Sequence, residues 1–283
     1  MIMRIEFTKM QGLGNDFIII DNRQYALTFQ QLQILAKKVC TRRFSVGSDG
    51  LMALENSNDS TDFRMRFFNA DGSVGEMCGN GARCIARYAY INKIAGKKMT
   101  FQTTAGIVSG EIINDRLVGV LLNLPEFIEL RRIVSLHQNE YPISYIELGS
   151  PGLPHVVIEH KGLKDTDDTS LTELAIALRY HEAFPKGANI NFYEIGKDSA
   201  VTVRTYERGV EDFTLACGTG SASVALALFL REELSNNIIR INVPGGSLDV
   251  AIGMSDGKVE ILQLIGDTNM IAEGIILDED LKL

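Results

Sequence analysis

Two short stretches of the chain set a thiol against a glycine-rich turn and then run on in a helical pattern: MCGNGARCIARYAY, residues 77–90, and ACGTGSASVALAL, residues 216–228. The first N–H groups of a helix have no intrahelical partner, and the aligned peptide dipoles concentrate partial positive charge there. A cysteine at that point is expected to ionise below the ordinary thiol value of about 8.5. Cys78 and Cys217 are therefore candidates for a base or a nucleophile near neutral pH. The flanking glycines let backbone N–H groups approach an anion such as a carboxylate. One such site reads as a nucleophile or a redox thiol. Two of them point to a pair of acid/base groups of one chemistry and opposite protonation. Inversion of a stereocentre needs such a pair, because one proton leaves a carbon as another arrives on the opposite face. The helix-start N–H groups would hold the neighbouring carboxylate and the charge that spreads into it. No lysine stands in an evident pyridoxal-phosphate setting and no metal-ligand cluster is visible, so the expected inversion uses no cofactor.

Blander readings compete. A buried cysteine usually fills core, and that reading is applied to Cys40, in an amphipathic helical pattern, and to Cys84, further along the first cysteine helix. The doubled CGxG context argues against it for Cys78 and Cys217. Zinc is disfavoured, since no CxxC pair exists and His137, His155, His160 and His181 form no ligand spacing. Neither a Walker pattern nor a dinucleotide fingerprint supports phosphate cradling by CGNG or CGTG. A redox-responsive thiol protein, or an amino-acid-binding module without turnover, stays open beside the enzyme reading.

The elements that must position these thiols occur twice. When Cys78 is laid on Cys217, Gly14–Asp21 falls on Gly152–Glu159, and QQLQILAKKVC (30–40) falls on SLTELAIALRY (170–180). VGSDGLMAL, ending at Leu54, falls on KGANINFYE, ending at Glu194. FRMRFFNADG falls on AVTVRTYERG, so that Phe63 meets Ala200, and TTAGIVSGEI matches VPGGSLDVAI. Each half carries alternating strand segments, one amphipathic helix and one helix opening at CG(N/T)G. Ala222, Val224, Ala225, Leu226, Ala227 and Leu228 make the last of these apolar nearly all round, and such a helix is buried. The expected fold is α+β: two pseudo-symmetric lobes, each a curled, mostly antiparallel sheet around a central helix. The expected boundary lies near Pro125, giving lobes 1–124 (with about 266–283) and 125–265. NSNDSTD (56–62) reads as a surface loop.

The bulk composition narrows the partners. The 283 residues are 45% hydrophobic and 23% charged, ordinary for a globular protein able to bury a full core. A net charge of −8 argues against a nucleic-acid partner, which calls for a basic face. No apolar run approaches the roughly 18 residues of a membrane span. MIMRIEFTKM alternates like a strand and lacks the apolar core of a signal peptide. Four cysteines are too few for a disulfide framework, so a reducing, cytoplasmic setting is expected.

GLGNDFIIID, FFNADGSVGEMCGNGARC, GANINF, YERG and LACGTGSAS, in that order, resemble the motifs of the diaminopimelate epimerase family along almost the whole chain. The resemblance implies two lobes with the active site in the cleft between them, and pyridoxal-independent interconversion of LL- and meso-diaminopimelate in lysine and peptidoglycan precursor synthesis. The family's proton acceptor and donor fall on Cys78 and Cys217. Gly79, Asn80, Gly218 and Thr219 would bind the carboxylate at the reacting end. Asn15, Asn69, Asn189, Glu207 and Arg208 match substrate-binding positions, while His155 and Glu207 match residues thought to tune the cysteines. The distal end of diaminopimelate is itself an amino acid, which suits an arginine for carboxylate and acceptors for ammonium. The resemblance also suggests a homodimer acting on a small amino-acid substrate. Two departures stand out: Leu153 replaces the family's usual Asn before the Pro-His pair, and GVEDFTLA (209–216) looks one residue longer. Leu153 keeps open a related racemase acting on another amino acid, such as histidine or a lanthionine-like analogue.

Overall fold

The alternating stretch near the N-terminus forms a strand, Ile5–Gly12, that turns back through Leu13 and Gly14 into Asn15–Asp21. Both turn residues have positive φ (52° and 89°), the conformation two-residue hairpins favour and one that glycine adopts without strain. The computed structural model describes residues 4–75, 77–136, 138–197, 199–277, 279 and 281. Glu76, inside the first cysteine motif, and His137, weighed above for metal binding, lie outside them. The chain divides into two compact units, Met1–Val120 with Gly266–Leu283, and Leu121–Ile265.

In the first unit, Asn15–Asp21 connects through helix α1 (Phe29–Val39) to a parallel neighbour, Gly50–Glu55. Phe63–Asn69 returns antiparallel and is capped by the two-residue strand Val74–Gly75. Helix α2 (Gly79–Ile91) then crosses to Lys98–Thr103, parallel to Phe63–Asn69, and Gly106–Ile112 and Leu117–Leu121 follow antiparallel. Asn269–Ile276 pairs antiparallel with Ile5–Gly12, so the last strand among the described residues completes the first unit. Each parallel pair is bridged by a helix, as parallel neighbours require.

The second unit repeats the plan. Asn139–Leu148 pairs antiparallel with Pro125–Leu136 and with Leu153–Glu159. Helix α3 (Asp168–Arg179) leads to Asn189–Ile195, parallel to Leu153–Glu159. Val201–Glu207 returns antiparallel and is capped by Asp212–Phe213. Helix α4 (Gly218–Leu230) crosses to Ile238–Val243, and Gly246–Ser255 follows antiparallel. The order of elements and the sense of every one of these pairings agree between the units.

Two of the sequence equivalences are wrong by one residue. Phe17 faces Gly50 as His155 faces Asn189, so Leu54 corresponds to Tyr193 and not to Glu194. Phe63–Asn69 and Val201–Glu207 share one burial pattern through their first six residues, so Phe63 corresponds to Val201 and not to Ala200. A slip of one residue moves every side chain to the other face of a sheet, and with few identities only the buried face reveals it. The helices also start earlier than expected. Thr28 and Asp167 supply their N-caps, and α1 ends at Val39, so Cys40 is its C-cap and not inside it.

Each sheet has a helix on either side. In the first unit Ile18, Ile20, Leu51 and Phe68 pack on Leu32, Leu35 and Val39 of α1. In the second, Val156, Ile158, Ile190 and Phe192 pack on Leu171, Ala175 and Leu178 of α3. The opposite face wraps the central helix: α4 meets the strands Asn139–Leu148, Leu153–Glu159, Asn189–Ile195, Val201–Glu207, Ile238–Val243 and Gly246–Ser255. Every residue of α4 from Gly220 to Leu228 is buried, as expected of a helix that is apolar nearly all round. The chain thus forms the α+β fold expected of it, two lobes of one construction, each a curled, mostly antiparallel sheet around a central helix.

Candidate active site

The four helices among the described residues begin in two different ways. At α1 the Thr28 hydroxyl accepts from the Gln31 N–H while the Gln31 side chain accepts from the Thr28 N–H, a reciprocal cap. At α3 the Asp167 carboxylate accepts from the Ser170 N–H at 2.7 Å. The central helices have cysteine at the N-cap, Cys78 for α2 and Cys217 for α4, both with extended backbone, and neither sulfur caps its helix. No acidic residue occupies either first turn. Neither N-cap side chain takes up the first backbone donors of α2 or α4, where the partial positive charge of the helix gathers.

In the first lobe, Cys78 is half-buried and Gly79 and Asn80 open the helix. The Asn80 amide donates to the Asn15 carbonyl oxygen at 2.5 Å, and the Asn15 amide donates to Asp49 at 3.2 Å. Asp49 and Asp16 share the guanidinium of Arg42 (3.0 and 2.6 Å), and Lys9 lies 3.0 Å from Asp16. Behind the helix mouth lies Arg83, 0% exposed, donating to the Asn80 side-chain oxygen at 2.7 Å and to the Gly79 carbonyl at 3.3 Å. Burial lowers its pKa; the neighbouring sulfurs of Cys84 and Cys78 and the Asp267 carboxylate act the other way. Asn69 stands at a strand end, exposed, with its amide on the Ser73 hydroxyl at 2.9 Å. Cys84 and Cys40 are core, and burial pushes their thiols up to about 12 and about 11.

The second lobe surrounds its cysteine differently. Cys217 is 7% exposed, its sulfur 3.6 Å from the Thr219 hydroxyl. Its thiol also hydrogen-bonds the Glu207 carboxylate, which the Thr214 hydroxyl binds as well. Burial raises the Glu207 pKa, and the hydrogen bonds from Thr214 and Cys217 oppose that rise. Beneath the helix mouth lies a buried polar group: the Thr205 hydroxyl donates to the Asn191 side-chain oxygen at 3.0 Å, and the Asn191 amide lies 3.3 Å from Nδ1 of His155. His155 is 0% exposed, and its pKa is lowered to about 3 by burial, with the charge of Arg208 adding to that and Asn191 opposing it. It is neutral at physiological pH and acts as a dipole, not as an acid. Asn189 donates to the Pro154 carbonyl at 3.2 Å and accepts from the Arg208 N–H at 2.9 Å, which fixes the backbone that carries Arg208. The Arg208 guanidinium donates to the Lys186 carbonyl, so Glu207 and Arg208 have separate partners and are not a surface ion pair. Leu153, half-buried, opens the strand that carries His155 and pairs with Leu148.

Within each lobe, then, the expected residues converge: Asn15, Gly79 and Asn80 with Cys78, and Glu207, Gly218, Thr219 and His155 with Cys217. The residues not foreseen are Arg83, Asp49, Asn191, Thr205 and Thr214. One signal was available for Asn191, since Asn189 and Asn191 alternate on a strand and so share its face.

This is the two-lobe α+β fold of epimerases and their structural kin. The hydroxyproline epimerase from Agrobacterium vitis superposes with a TM-score of 0.68, covering 98% of this chain and 93% of that one at 15% identity. The Bacillus anthracis phenazine biosynthesis protein of the PhzF family gives 0.73, with 97% and 99% covered at 16% identity. Sequence goes further. The diaminopimelate epimerase family model matches residues 7–124 and 149–271. Diaminopimelate epimerase from Aquifex aeolicus is 37% identical, covering 98% of this chain and all of that protein. The enzyme of that name from Archaeoglobus fulgidus is 35% identical over 99% of each chain. The protein belongs to the diaminopimelate epimerase family.

Proposed function

We propose that the protein interconverts LL- and meso-2,6-diaminopimelate without a cofactor, Cys78 and Cys217 serving as the two bases. One sulfur, as thiolate, takes the α-proton; the other, as thiol, returns a proton to the opposite face, and the two exchange protonation states with each inversion. The N–H groups of Gly79 and Asn80 and of Gly218 and Thr219 hold the α-carboxylate, where charge accumulates once the proton has left. Asn15, Asn69, Asn189, Glu207 and Arg208 recognise the rest of the substrate, and Glu207 and the neutral His155 set the environment of Cys217. The observation that carries this reading is the duplicated one: in a chain of this family, each lobe ends a strand hairpin with a cysteine at the uncapped mouth of a buried helix. The same reading makes the protein a cytoplasmic biosynthetic enzyme, working as a homodimer on a small molecule. No helix among the described residues is long and apolar enough to cross a membrane.

The test is incubation of the reduced protein with LL-diaminopimelate in heavy water, with deuterium at Cα and the isomer ratio followed by mass spectrometry and NMR. Label and meso isomer should both accumulate, and Cys78→Ala and Cys217→Ala should each abolish inversion. Inversion at near-normal rate in either variant would overturn the two-base assignment. Leu153 favours one second reading, a racemase of another amino acid, because leucine cannot supply an amide contact. Deuterium entering histidine or lanthionine but not diaminopimelate would establish it.

A further inference from the structure

A buried arginine lies behind the mouth of α2 with no carboxylate within hydrogen-bond reach among the described residues. Arg83 is 0% exposed, its Nη2 and Nη1 donate to the Asn80 side-chain oxygen and the Gly79 carbonyl, and its Nε meets no acceptor. Desolvating a guanidinium without a counter-charge is expensive, and the surroundings are shaped to hold it. A Cβ on Gly266 would come within 2.9 Å of the guanidinium carbon, and one on Gly12 within 3.6 Å of Nη2. In the second lobe the corresponding position is Ala222, so the duplication does not account for the arginine.

Its hydrogen bonds form a chain with a direction. Arg83 donates to Asn80, Asn80 to Asn15, and Asn15 to Asp49. A guanidinium can only donate and a carboxylate can only accept. With those groups at the two ends, neither asparagine amide can flip without setting donor against donor or acceptor against acceptor. Each amide carries two N–H groups and spends one inside the chain, which leaves Asn80 and Asn15 a second N–H apiece for a ligand at the mouth of α2. We infer that Arg83 is a positioning residue that locks the Asn80 and Asn15 amides as donors, so that this half of the site accepts a hydrogen-bond acceptor, a carboxylate, and rejects an ammonium. This rests on the proposed function for the identity of the ligand but not for the direction of the chain.

The test is a double-substitution cycle with an activity-independent arm. Arg83→Met removes both donors and keeps the bulk; Arg83→Lys keeps a single donor. In wild type, side-chain amide signals of 15N-asparagine-labelled protein should include slowly exchanging ones assigned to Asn80. They should persist in Arg83→Lys and exchange rapidly in Arg83→Met, with the far-UV spectrum unchanged. With LL-diaminopimelate, Arg83→Met should raise KM by roughly ten- to a hundredfold, the loss expected of one charge-assisted contact. Because the arginine acts through Asn80, adding Arg83→Met to Asn80→Ala should change KM little further. Full additivity of the two substitutions, or amide protection unchanged in Arg83→Met, would overturn the inference. Absence of wild-type turnover beside the predicted amide behaviour would instead count against diaminopimelate as substrate and leave the inference standing.

Discussion

Beneath the two cysteines a single backbone plan carries different chemistry, residue by residue. Phe17, Met52 and Phe67 in the first lobe correspond to His155, Asn191 and Thr205 in the second, so α2 begins over an apolar floor and α4 over a polar one. The electrostatic compensation differs too, with a buried arginine beside Cys78 and a carboxylate beside Cys217. His155 has a measurable consequence. Its pKa is near 6.5 unfolded and about 3 folded. Between those values the unfolded chain binds more protons, so stability is complete above about 6.5 and declines as the pH falls toward 3. His155→Gln should flatten the fall in melting temperature over that window, whereas an unchanged slope would show that the acid limb belongs to carboxylates such as Asp16 and Asp21, whose losses begin lower. At this scale the sequence was legible wherever a local mechanism existed: CGxG after a strand marks a helix mouth, and in both lobes its cysteine is the N-cap. Arg83 was not legible, because an arginine among small helical residues looks like a solvated face until the sheet closes over it.

At the scale of elements, the glycine one turn into each central helix matters most. A Cβ on Gly220 would sit 2.2 Å from the Asn191 side-chain oxygen and 3.0 Å from the Thr205 hydroxyl, both fixed by their own hydrogen bonds. A Cβ on Gly81 would meet the terminal methyl of Met52, the far end of a flexible chain. Gly220→Ala should therefore lower stability by about 1–3 kcal/mol, the usual cost of overpacking, and Gly81→Ala by clearly less. Chemical denaturation of the two variants checks this, and equal midpoints would show that the polar floor yields as readily as a thioether. The repeat of elements could be read from strand and helix patterns, since order survives even where identities are sparse. The register could not. The one-residue slips at Leu54 and Phe63 cannot be seen in sparse identities; the parallel pairings Phe17–Gly50 and His155–Asn189 decide the first and the burial pattern the second.

At the scale of the whole molecule, the strand Asn269–Ile276 belongs to the first unit. Asn269–Ile276 pairs along nearly the full length of Ile5–Gly12, with Ile5 opposite Ile276 and Gln11 opposite Asn269. Removing residues 266–283 would leave Ile5–Gly12 as an open edge, a template for unwanted pairing. Such a truncation should aggregate, and limited proteolysis should degrade the first unit while Leu121–Ile265 resists; equal resistance of both units would show the strand to be dispensable. The arrangement also bears on synthesis. A ribosome releases the contiguous stretch Leu121–Ile265 whole while the amino-terminal half still waits for a partner that has not been translated. The unit begun first is completed after the second, and the nascent polypeptide must shield one bare β-edge until Asn269–Ile276 has been made.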